Sequence, residues 1–422
     1  MSKAATICQH LFSLANRGIK YDLERIRKAA AQCGNPQLNY KSVHVAGTNG
    51  KGSTCTYIES VLRKSVFKTG MYLSPHIVSF EERFLINGSP IDESEWIDVY
   101  IKQQKIIDDL KLTFFEATTL MAFELFRRND VDWAVFETGL GGRLDATNVI
   151  DPQVSVITRI DLDHTEYLGP TILSIANEKL GIVKNNRPLI FAHTDDKQVL
   201  ELARQICDEK NAPFHVVKNS DAELICDDEN GLRFSWNGNN YKVPLRGSFQ
   251  LTNALLALNA LRSINITDYR VLYEGLASAF IPGRFQTMSI ESKTVILDVG
   301  HNPNAASVFA DGIQKKYAGK SICVISGIMK DKDTKGILEN YSRIADYLIF
   351  TRPQIPRAAD PEDLFNQMML INNKIKCEVI ASVGGAIKSA FNRSEEIICI
   401  SGSFYTVGEA FTAMRIKPYV QC

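Results

Sequence analysis

Residues 43–53 have the sequence VHVAGTNGKGS, in which an apolar run passes into a glycine-rich loop that contains a lysine. The apolar run Ser42–Ala46 predicts a buried strand, and Ser53–Lys64 has the spacing of a helix. Glycines around Lys51 let the backbone turn tightly and point its N–H groups inward, and the following helix presents its positive N-terminal end to the same point. This strand–loop–helix unit favours binding of a polyphosphate, with the Lys51 ammonium near its outer oxygens.

The match to the general P-loop pattern is partial. Val45 stands where the first glycine of the pattern is expected, and Gly52 separates Lys51 from Ser53. A glycine-rich turn before a helix is in many proteins only a tight connection. On this segment alone, both interpretations stay open.

The chain on either side alternates short Val/Ile-rich runs with helical patterns such as Thr118–Arg127, which predicts parallel sheets covered by helices. Further strands of the first series are predicted at Thr69–Leu73, Val131–Glu137, Val154–Ile160 and Pro188–Ala192. Antiparallel strands appended to that sheet are predicted at Val216-Val217, Glu223–Cys226, Leu232–Trp236 and Tyr241–Val243. The second series is predicted at Thr294–Val299, Ser321–Ser326, Tyr347–Thr351, Glu378–Ala381 and Ile397–Ser401.

A Pro-Gly turn at Ile281-Pro282-Gly283 separates the two series. We therefore expect an α/β protein of two domains, residues 1–282 and 289–422, joined by a linker at 283–288. The first domain is predicted to be a P-loop-type, mostly parallel sheet with a small antiparallel addition. The second is predicted to be a Rossmann-like parallel α/β domain.

Composition narrows the class of protein. Lys plus Arg and Asp plus Glu each number 48, which argues against a broad nucleic-acid or membrane footprint. The 9 cysteines form no CxxC pair, which is typical of reduced thiols in a cytosolic protein. Apolar runs fall short of the roughly 20 residues that a membrane-spanning helix needs. We expect a cytoplasmic protein with small-molecule partners and no nucleic-acid or membrane partner.

Three side chains follow predicted strands and are candidate metal ligands. Glu137 ends one strand, His164 follows Val154–Ile160, and Ser74 follows Thr69–Leu73. The carboxyl ends of parallel strands meet at one edge of a sheet, where such folds bind ligands. Each residue alone also fits a solvated strand end or an ordinary surface or core group. Their convergence beside a phosphate loop is what favours a site for a divalent cation.

Six motifs in order carry a resemblance to a known family. They are Ala46–Ser53 (AGTNGKGS), Tyr72–His76 (YLSPH), Glu137–Asn148 (ETGLGGRLDATN), Leu162–Gly169 (LDHTEYLG), Pro282–Phe285 (PGRF) and Asp298–Pro303 (DVGHNP). With these motifs the chain resembles the bacterial folylpolyglutamate synthases, in particular their bifunctional dihydrofolate synthase/folylpolyglutamate synthase branch. That family belongs with the Mur ligases of cell-wall synthesis, and the resemblance spans nearly the whole chain.

The resemblance implies an ATP-dependent amide ligase that uses Mg²⁺. A carboxylate of dihydropteroate or of a reduced folate would attack the γ-phosphate of ATP, and the α-amine of L-glutamate would then displace phosphate from the acyl phosphate. Phosphoryl transfer requires positioning and charge neutralisation more than covalent help from the protein. Family precedent also favours a monomer.

The resemblance also implies roles for individual residues. Those implied to bind ATP are Thr48, Asn49, Gly50, Lys51, Gly52, Ser53, Asn253, Arg284 and Asp298. Ser53 is in addition a candidate metal ligand, beside the implied Mg²⁺ ligands Ser74, Glu137 and His164. The implied catalytic groups are Lys51, Lys179 and His301. The lysine that matches Lys179 can carry a carbamate in this family, and the alternative is a plain surface lysine. His301 would lie near the acyl phosphate or the glutamate, and the alternative is a cap at the start of a helix.

For the pterin substrate, the resemblance implies contacts from three segments. These are Lys20, Tyr21, Asp22 and Leu23; Thr113, Phe114, Phe115 and Glu116; and Leu144, Asp145 and Ala146. A pterin ring suits stacking against Phe114 or Phe115 and pairing with a carboxylate. Both phenylalanines are equally compatible with the core.

Three rival functions stay open. A folylpolyglutamate synthase without the dihydrofolate synthase activity is the nearest. A cell-wall ligase with a UDP-sugar substrate is less favoured, because the chain starts near its phosphate loop. A non-catalytic nucleotide-binding module would bind ATP without releasing ADP.

Overall fold

The computed structural model describes residues 2–18, 22–228, 231–245, 247 and 249–419. A sheet of eight strands surrounds the phosphate loop, in the order β4-β3-β2-β5-β1-β6-β7-β8. Its strands are β1 (Lys41–Ala46), β2 (Thr69–Tyr72), β3 (Phe84–Ile86), β4 (Ser89–Pro90), β5 (Trp133–Glu137), β6 (Val154–Ile157), β7 (Leu189–Ala192) and β8 (Phe214–Val217). Six of them run parallel, and β3 and β4 are antiparallel at one edge. The central strand β1 is buried at all but its first residue because helices cover both faces.

The helices of this part pack on both faces of the sheet. They are α1 (Lys3–Ser13), α2 (Glu24–Gln32), α3 (Lys51–Lys64), α4 (Glu93–Asp109), α5 (Phe114–Arg128), α6 (Thr165–Leu168), α7 (Ile172–Leu180), α8 (Lys197–Glu209), α9 (Phe249–Ser263) and α10 (Tyr269–Ala277). Helix α3 begins at the end of the phosphate loop and is buried along nearly its whole length. It packs between β1 and helices α9 and α10, which fixes the position of the loop.

One predicted antiparallel segment is different in the structure. Val216-Val217 belongs to β8, which pairs parallel with β7 at the edge of the main sheet. The three other segments are antiparallel as predicted, but they form a separate sheet and are not appended to the main one. The strands of this sheet are β9 (Glu223–Asp228), β10 (Gly231–Trp236) and β11 (Asn239–Val243). Strand direction was misjudged at β8 because β-propensity does not encode the orientation of the partner strand.

The second strand series forms a six-stranded sheet in the order β12-β13-β17-β14-β15-β16. Its elements are β12 (Gln286–Ile290), β13 (Lys293–Asp298), α11 (Pro303–Lys316), β14 (Ile322–Ser326), α12 (Thr334–Tyr341), β15 (Tyr347–Phe350), α13 (Pro361–Ile371), β16 (Lys376–Val379), α14 (Val383–Phe391), β17 (Ile397–Ser401) and α15 (Phe404–Met414). Only β12, which the sequence did not predict, is antiparallel to its neighbour among these strands. The α/β fold with two mostly parallel sheets is thus confirmed.

We propose that the domains divide as predicted, with 1–282 and 289–422 joined at 283–288. The support is that the six-stranded sheet contains only strands from Gln286 onward. Contacts across this division are specific. The Ile77 side chain packs against the apolar core of the second sheet. The Ile77 carbonyl oxygen lies so close to Gly408 of helix α15 that a side chain at Gly408 would not fit. Lys332 forms an ion pair of 3.3 Å with Asp163.

Packing of α3 against α10 gives a stability prediction. A Cβ atom at Gly275 of α10 would lie 2.5 Å from the Cα atom of Val61 in α3. We expect Gly275→Ala to lower the free energy of unfolding by about 1–3 kcal/mol, because neither backbone can give way cheaply. Gly384→Ala is the matched control, since the nearest atom to its Cβ is the methyl of Ala413 at 3.8 Å. Urea unfolding measures both, and equal stability of the two variants would contradict the packing argument.

Candidate active site

The glycine-rich loop between β1 and α3 has a backbone that only glycine fits. Gly47 and Gly50 have φ angles of +153° and +91°. Added Cβ atoms would collide with the Thr158 hydroxyl and with the Asn253 amide, respectively. The loop therefore lies tightly against the end of β6 and the start of α9. The Thr48 hydroxyl donates to the Asp161 carbonyl at 3.0 Å, which fixes the other side of the loop.

Two lysine ammonium groups converge on one carbonyl of this loop. Lys51 Nζ donates to the carbonyls of Gly47 and Thr48 at 3.1 and 3.2 Å. Lys179 Nζ, on α7, donates to the same Gly47 oxygen at 2.9 Å. Burial, and then the nearby Lys51 charge, lower the pKa of Lys179 to about 7. Lys179 is only 4% exposed, so the alternative of a plain surface lysine is wrong.

The three predicted metal ligands lie at the carboxyl edge of the sheet. Glu137 is 7% exposed, and its Oε2 accepts a hydrogen bond from the Ser74 amide at 3.1 Å. Burial raises the pKa of Glu137, and the Lys51 charge opposes that rise. His164 has a left-handed backbone at the start of α6, and burial lowers its pKa against the effect of Asp163.

This donor set fits a hard divalent cation. Within the described residues, the Ser74 amide is the only hydrogen-bond donor to the buried Glu137 carboxylate, so its oxygens have remaining capacity. The same described residues contain no group of three or more His, Cys, Asp and Glu side chains that could hold a metal ion. A hydroxyl, a carboxylate and an imidazole form a partial set, which phosphate oxygens and water complete at nucleotide sites.

All of these groups line one cavity of about 1210 Å³, which extends between the two sheets. Of the predicted site residues, its lining includes Thr48, Asn49, Gly50, Lys51, Gly52, Ser53, Ser74, Glu137, His164, Lys179, Asn253, Arg284, Asp298 and His301. Residues distant in sequence are therefore brought together around one space. An amide–amide hydrogen bond of 3.2 Å from Asn302 to Asn49 closes part of it from the side of the second sheet.

The second sheet contributes a buried carboxylate and an imidazole. Asp298 accepts hydrogen bonds from the amides of Phe285 and Gly300 at 2.9 and 2.8 Å, and burial raises its pKa. Burial, followed by the charge of Lys332, lowers the pKa of His301 to about 4, so its imidazole is neutral. His301 does not cap a helix, because the side chain of Asn302 caps α11.

The predicted pterin contacts lie beside this cavity and not in its lining, as far as the described residues go. Thr113 and Glu116 form the capping box of α5, and Glu116 also pairs with Arg25 at 3.0 Å. Asp145 is buried and accepts hydrogen bonds from the amides of Gly139 and Leu140, both at 2.9 Å.

The Phe114 ring already has two close neighbours. The Arg83 guanidinium lies 4.9 Å from its centroid, and Phe12 stacks on it at 5.5 Å. Phe115 packs against Gly139, at the border of the cavity.

The other predicted contacts are more peripheral. Asp22 pairs with Arg25 at 3.1 Å, and Leu23 packs on the apolar core around α5. Leu144 is half-buried and Ala146 is buried. Lys20 and Tyr21 lie outside the described residues.

Several residues of the site were missed by sequence reasoning. Asp161 accepts from the Asn49 amide at 3.1 Å, and Asp163 pairs with Lys332. Asp163 lies in the motif that contains His164, and Asp161 directly precedes that motif, so the acidity of both was a signal. No such signal marked Arg83 or Gln250. The Gln250 side chain accepts a hydrogen bond from the Tyr57 hydroxyl at 3.1 Å.

Comparison with known proteins identifies the family. The sequence profile described as the Mur ligase middle domain matches residues 45–261, and that described as the Mur ligase glutamate ligase domain matches 283–404. A dihydrofolate synthase/folylpolyglutamate synthase of Bacillus subtilis is 34% identical over 413 residues, which cover 93% of this chain and 94% of the relative. The chain belongs to this family of Mur ligases.

Solved structures of the family have the same fold. FolC of Escherichia coli in complex with DHPP and ADP is 32% identical and has a TM-score of 0.88, with 98% of both chains covered. A bifunctional folylpolyglutamate synthase/dihydrofolate synthase of Yersinia pestis, complexed with AMPPNP and a Mn ion, is 30% identical with a TM-score of 0.86 and 99% of both chains covered. Family members thus bind adenine nucleotides and a divalent metal. Within the described residues, no helix is both long and apolar enough to cross a bilayer.

Proposed function

We propose that this protein forms an amide bond between L-glutamate and dihydropteroate, and between L-glutamate and reduced folates, at the expense of ATP. The observation that carries the proposal is the shared cavity, in which the phosphate loop, Glu137 and His164 face Arg284 and Asp298. The family membership of the chain and the activity named for the Bacillus subtilis relative support the same chemistry.

ATP occupies the cavity with its phosphates against the loop. Thr48, Asn49, Gly50, Gly52 and Ser53 provide backbone and hydroxyl donors, and the Lys51 ammonium neutralises the charge that develops in the transition state. Asn253, Arg284 and Asp298 bind the rest of the nucleotide. Because Asn253 belongs to the first domain and Asp298 to the second, both domains contact one ligand. Ser74, Glu137 and His164 would hold Mg²⁺, which neutralises phosphate charge when bound.

The reaction runs in two steps. A carboxylate oxygen of the folate substrate attacks the γ-phosphorus, which gives an acyl phosphate and ADP. The α-amine of L-glutamate then attacks the acyl carbon, phosphate leaves, and the amine loses a proton as the amide forms. The neutral His301, in the cavity beside the second sheet, is suited to orient the acyl phosphate or the glutamate.

Lys179 is proposed to carry a carbamate. Its neutral amine would react with CO₂ to give a carbamate anion and a proton, and the anion would end the repulsion from Lys51 at the shared Gly47 carbonyl. A pKa of about 7 makes the neutral amine available under physiological conditions. The pterin contacts are proposed as predicted, with Asp22, Leu23, Thr113, Phe114, Phe115, Glu116, Leu144, Asp145, Ala146, Lys20 and Tyr21 forming that subsite.

The carbamate gives a pH prediction. At fixed CO₂ pressure, enzyme equilibrated with ¹³C-labelled CO₂ is expected to show a carbamate carbonyl signal that grows as pH rises through about 7, because the amine loses its proton there. The signal is expected to be absent in Lys179→Arg. Lys184→Arg is the control, since Lys184 is a half-buried lysine whose pKa is also lowered, to about 8. Retention of the signal in Lys179→Arg would disprove the assignment.

ADP release tests the proposed function. Dihydropteroate, tetrahydrofolate and its monoglutamylated product are offered separately, each with MgATP and L-glutamate. ADP release with all three supports the bifunctional ligase. Release with the two folates alone establishes the narrower folylpolyglutamate synthase. ATP binding without ADP release in any mixture would establish the non-catalytic module.

We also propose that the protein acts as a cytoplasmic monomer on these small molecules. Zero formal net charge and the absence of a basic stripe in the sequence support small-molecule substrates over nucleic acid.

A further inference from the structure

Arg83 is a buried cation without a carboxylate partner among the described residues. It directly precedes β3 and is 5% exposed. Its guanidinium forms no ion pair within 4.0 Å in the described part of the chain. Arginine does not lose its proton in proteins, so burial must be offset by partners or by a ligand.

The nearby carboxylates are engaged elsewhere. The oxygens of the adjacent Glu82 accept hydrogen bonds from the amides of Ile77, Val78 and Ser79 at 2.8–3.3 Å. Glu137 acts on Arg83 only at longer range and accepts from the Ser74 amide. Neither acid neutralises the guanidinium by direct contact.

The guanidinium is nevertheless held in one orientation. Its Nε donates to Nδ1 of His76 at 2.9 Å, and because a guanidinium nitrogen can only donate, this ring nitrogen is the acceptor. The Phe114 ring supports the guanidinium plane from one side. Such a fixed planar fork suits bidentate recognition of a carboxylate.

The position of Arg83 indicates which ligand would supply the carboxylate. The side chain contacts Phe114, one of the proposed pterin contacts, and His76, which follows the cavity-lining Ser74 and Pro75. It therefore lies between the proposed pterin subsite and the proposed ATP site. We infer that Arg83 binds a carboxylate of the pteroate or folate substrate. This inference rests on the proposed function.

Two carboxylates have this chemistry, and they can be distinguished. The reacting carboxylate is present in dihydropteroate and in folates, whereas the unreactive α-carboxylate is present in folates only. Dissociation constants are measured with ADP-saturated enzyme for dihydropteroate, tetrahydrofolate, the carboxamide of dihydropteroate, and the α- and γ-carboxamides of tetrahydrofolate. The ADP dissociation constant is measured in parallel.

We expect Arg83→Gln to weaken binding of the acids about 10–100-fold, the range of a charge-assisted hydrogen bond, with unchanged ADP affinity. The variant should lose the wild-type preference for an acid over the matching carboxamide, and Arg83→Lys should restore part of it. If Arg83→Gln no longer prefers dihydropteroate over its carboxamide, or tetrahydrofolate over its γ-carboxamide, the ligand of Arg83 is the reacting carboxylate. If it loses only the preference for tetrahydrofolate over its α-carboxamide, the ligand of Arg83 is the α-carboxylate.

The control is Arg262→Gln, which removes another guanidinium stacked on an aromatic ring, that of Trp236 at 5.2 Å. Unchanged acid-to-carboxamide ratios in Arg83→Gln, or parallel loss of ADP affinity, would overturn the role of Arg83. Absence of ADP release by the wild-type protein would instead overturn the proposed function, so the two failures are distinguishable.

Discussion

Lys51→Ala is expected to lower the rate of ADP formation by about 10³-fold, with little change in the folate dissociation constant. The ammonium is held at the phosphate loop by two carbonyls and faces the cavity shared by both domains. Charge stabilisation at a developing phosphoryl transition state is worth about 3–4 kcal/mol when one donor is removed. Because Lys51 acts mainly in the transition state, its loss should lower kcat more than substrate affinity.

The matched control for this variant lies on the same helix. Lys64 is the last residue of α3 and is exposed, so Lys64→Ala removes the same charge far from the loop. It should keep the wild-type rate. A Lys51→Ala enzyme within twofold of the wild-type rate would refute the role of this lysine.

Glu137→Gln is expected to lower activity about 10²-fold and to shift the Mg²⁺ dependence to higher concentration. The amide has the size of the carboxylate, and its oxygen can still accept the hydrogen bond from the Ser74 amide. The substitution therefore removes negative charge with little disturbance of packing. His164→Ala should shift the Mg²⁺ dependence in the same direction, because the imidazole is a proposed ligand of the same ion.

Initial rates at increasing Mg²⁺ concentration measure both effects. Glu166→Gln is the control, as Glu166 is an exposed carboxylate on the short helix after His164. If Glu137→Gln and His164→Ala both keep the wild-type Mg²⁺ concentration for half-maximal rate, the metal assignment must be abandoned.

The sequence predicted that the residues around the phosphate loop converge, and the reason is physical. Parallel strands end at one edge of a sheet, so residues that follow β1, β2, β5 and β6 must approach one another whatever the details of packing. Glu137 ends β5, and Lys51, Ser74 and His164 follow the other three strands. All four residues line the cavity.

What the sequence could not give depends on contacts between distant segments. The surroundings of Phe114 are set by Phe12 on α1 and by Arg83, which directly precedes β3. The burial of Lys179 depends on the loop after β1, and nothing in the helical pattern of α7 indicates it. The direction of β8 likewise depends on its partner β7.

Transfer of labelled oxygen tests the central claim most directly. Dihydropteroate labelled with ¹⁸O in its carboxylate is incubated with MgATP and L-glutamate, and the phosphate released is analysed by mass spectrometry. If the carboxylate attacks the γ-phosphate, each amide formed leaves one ¹⁸O atom in the phosphate. Amide formation with unlabelled phosphate would contradict activation through an acyl phosphate, and with it our account of this cavity.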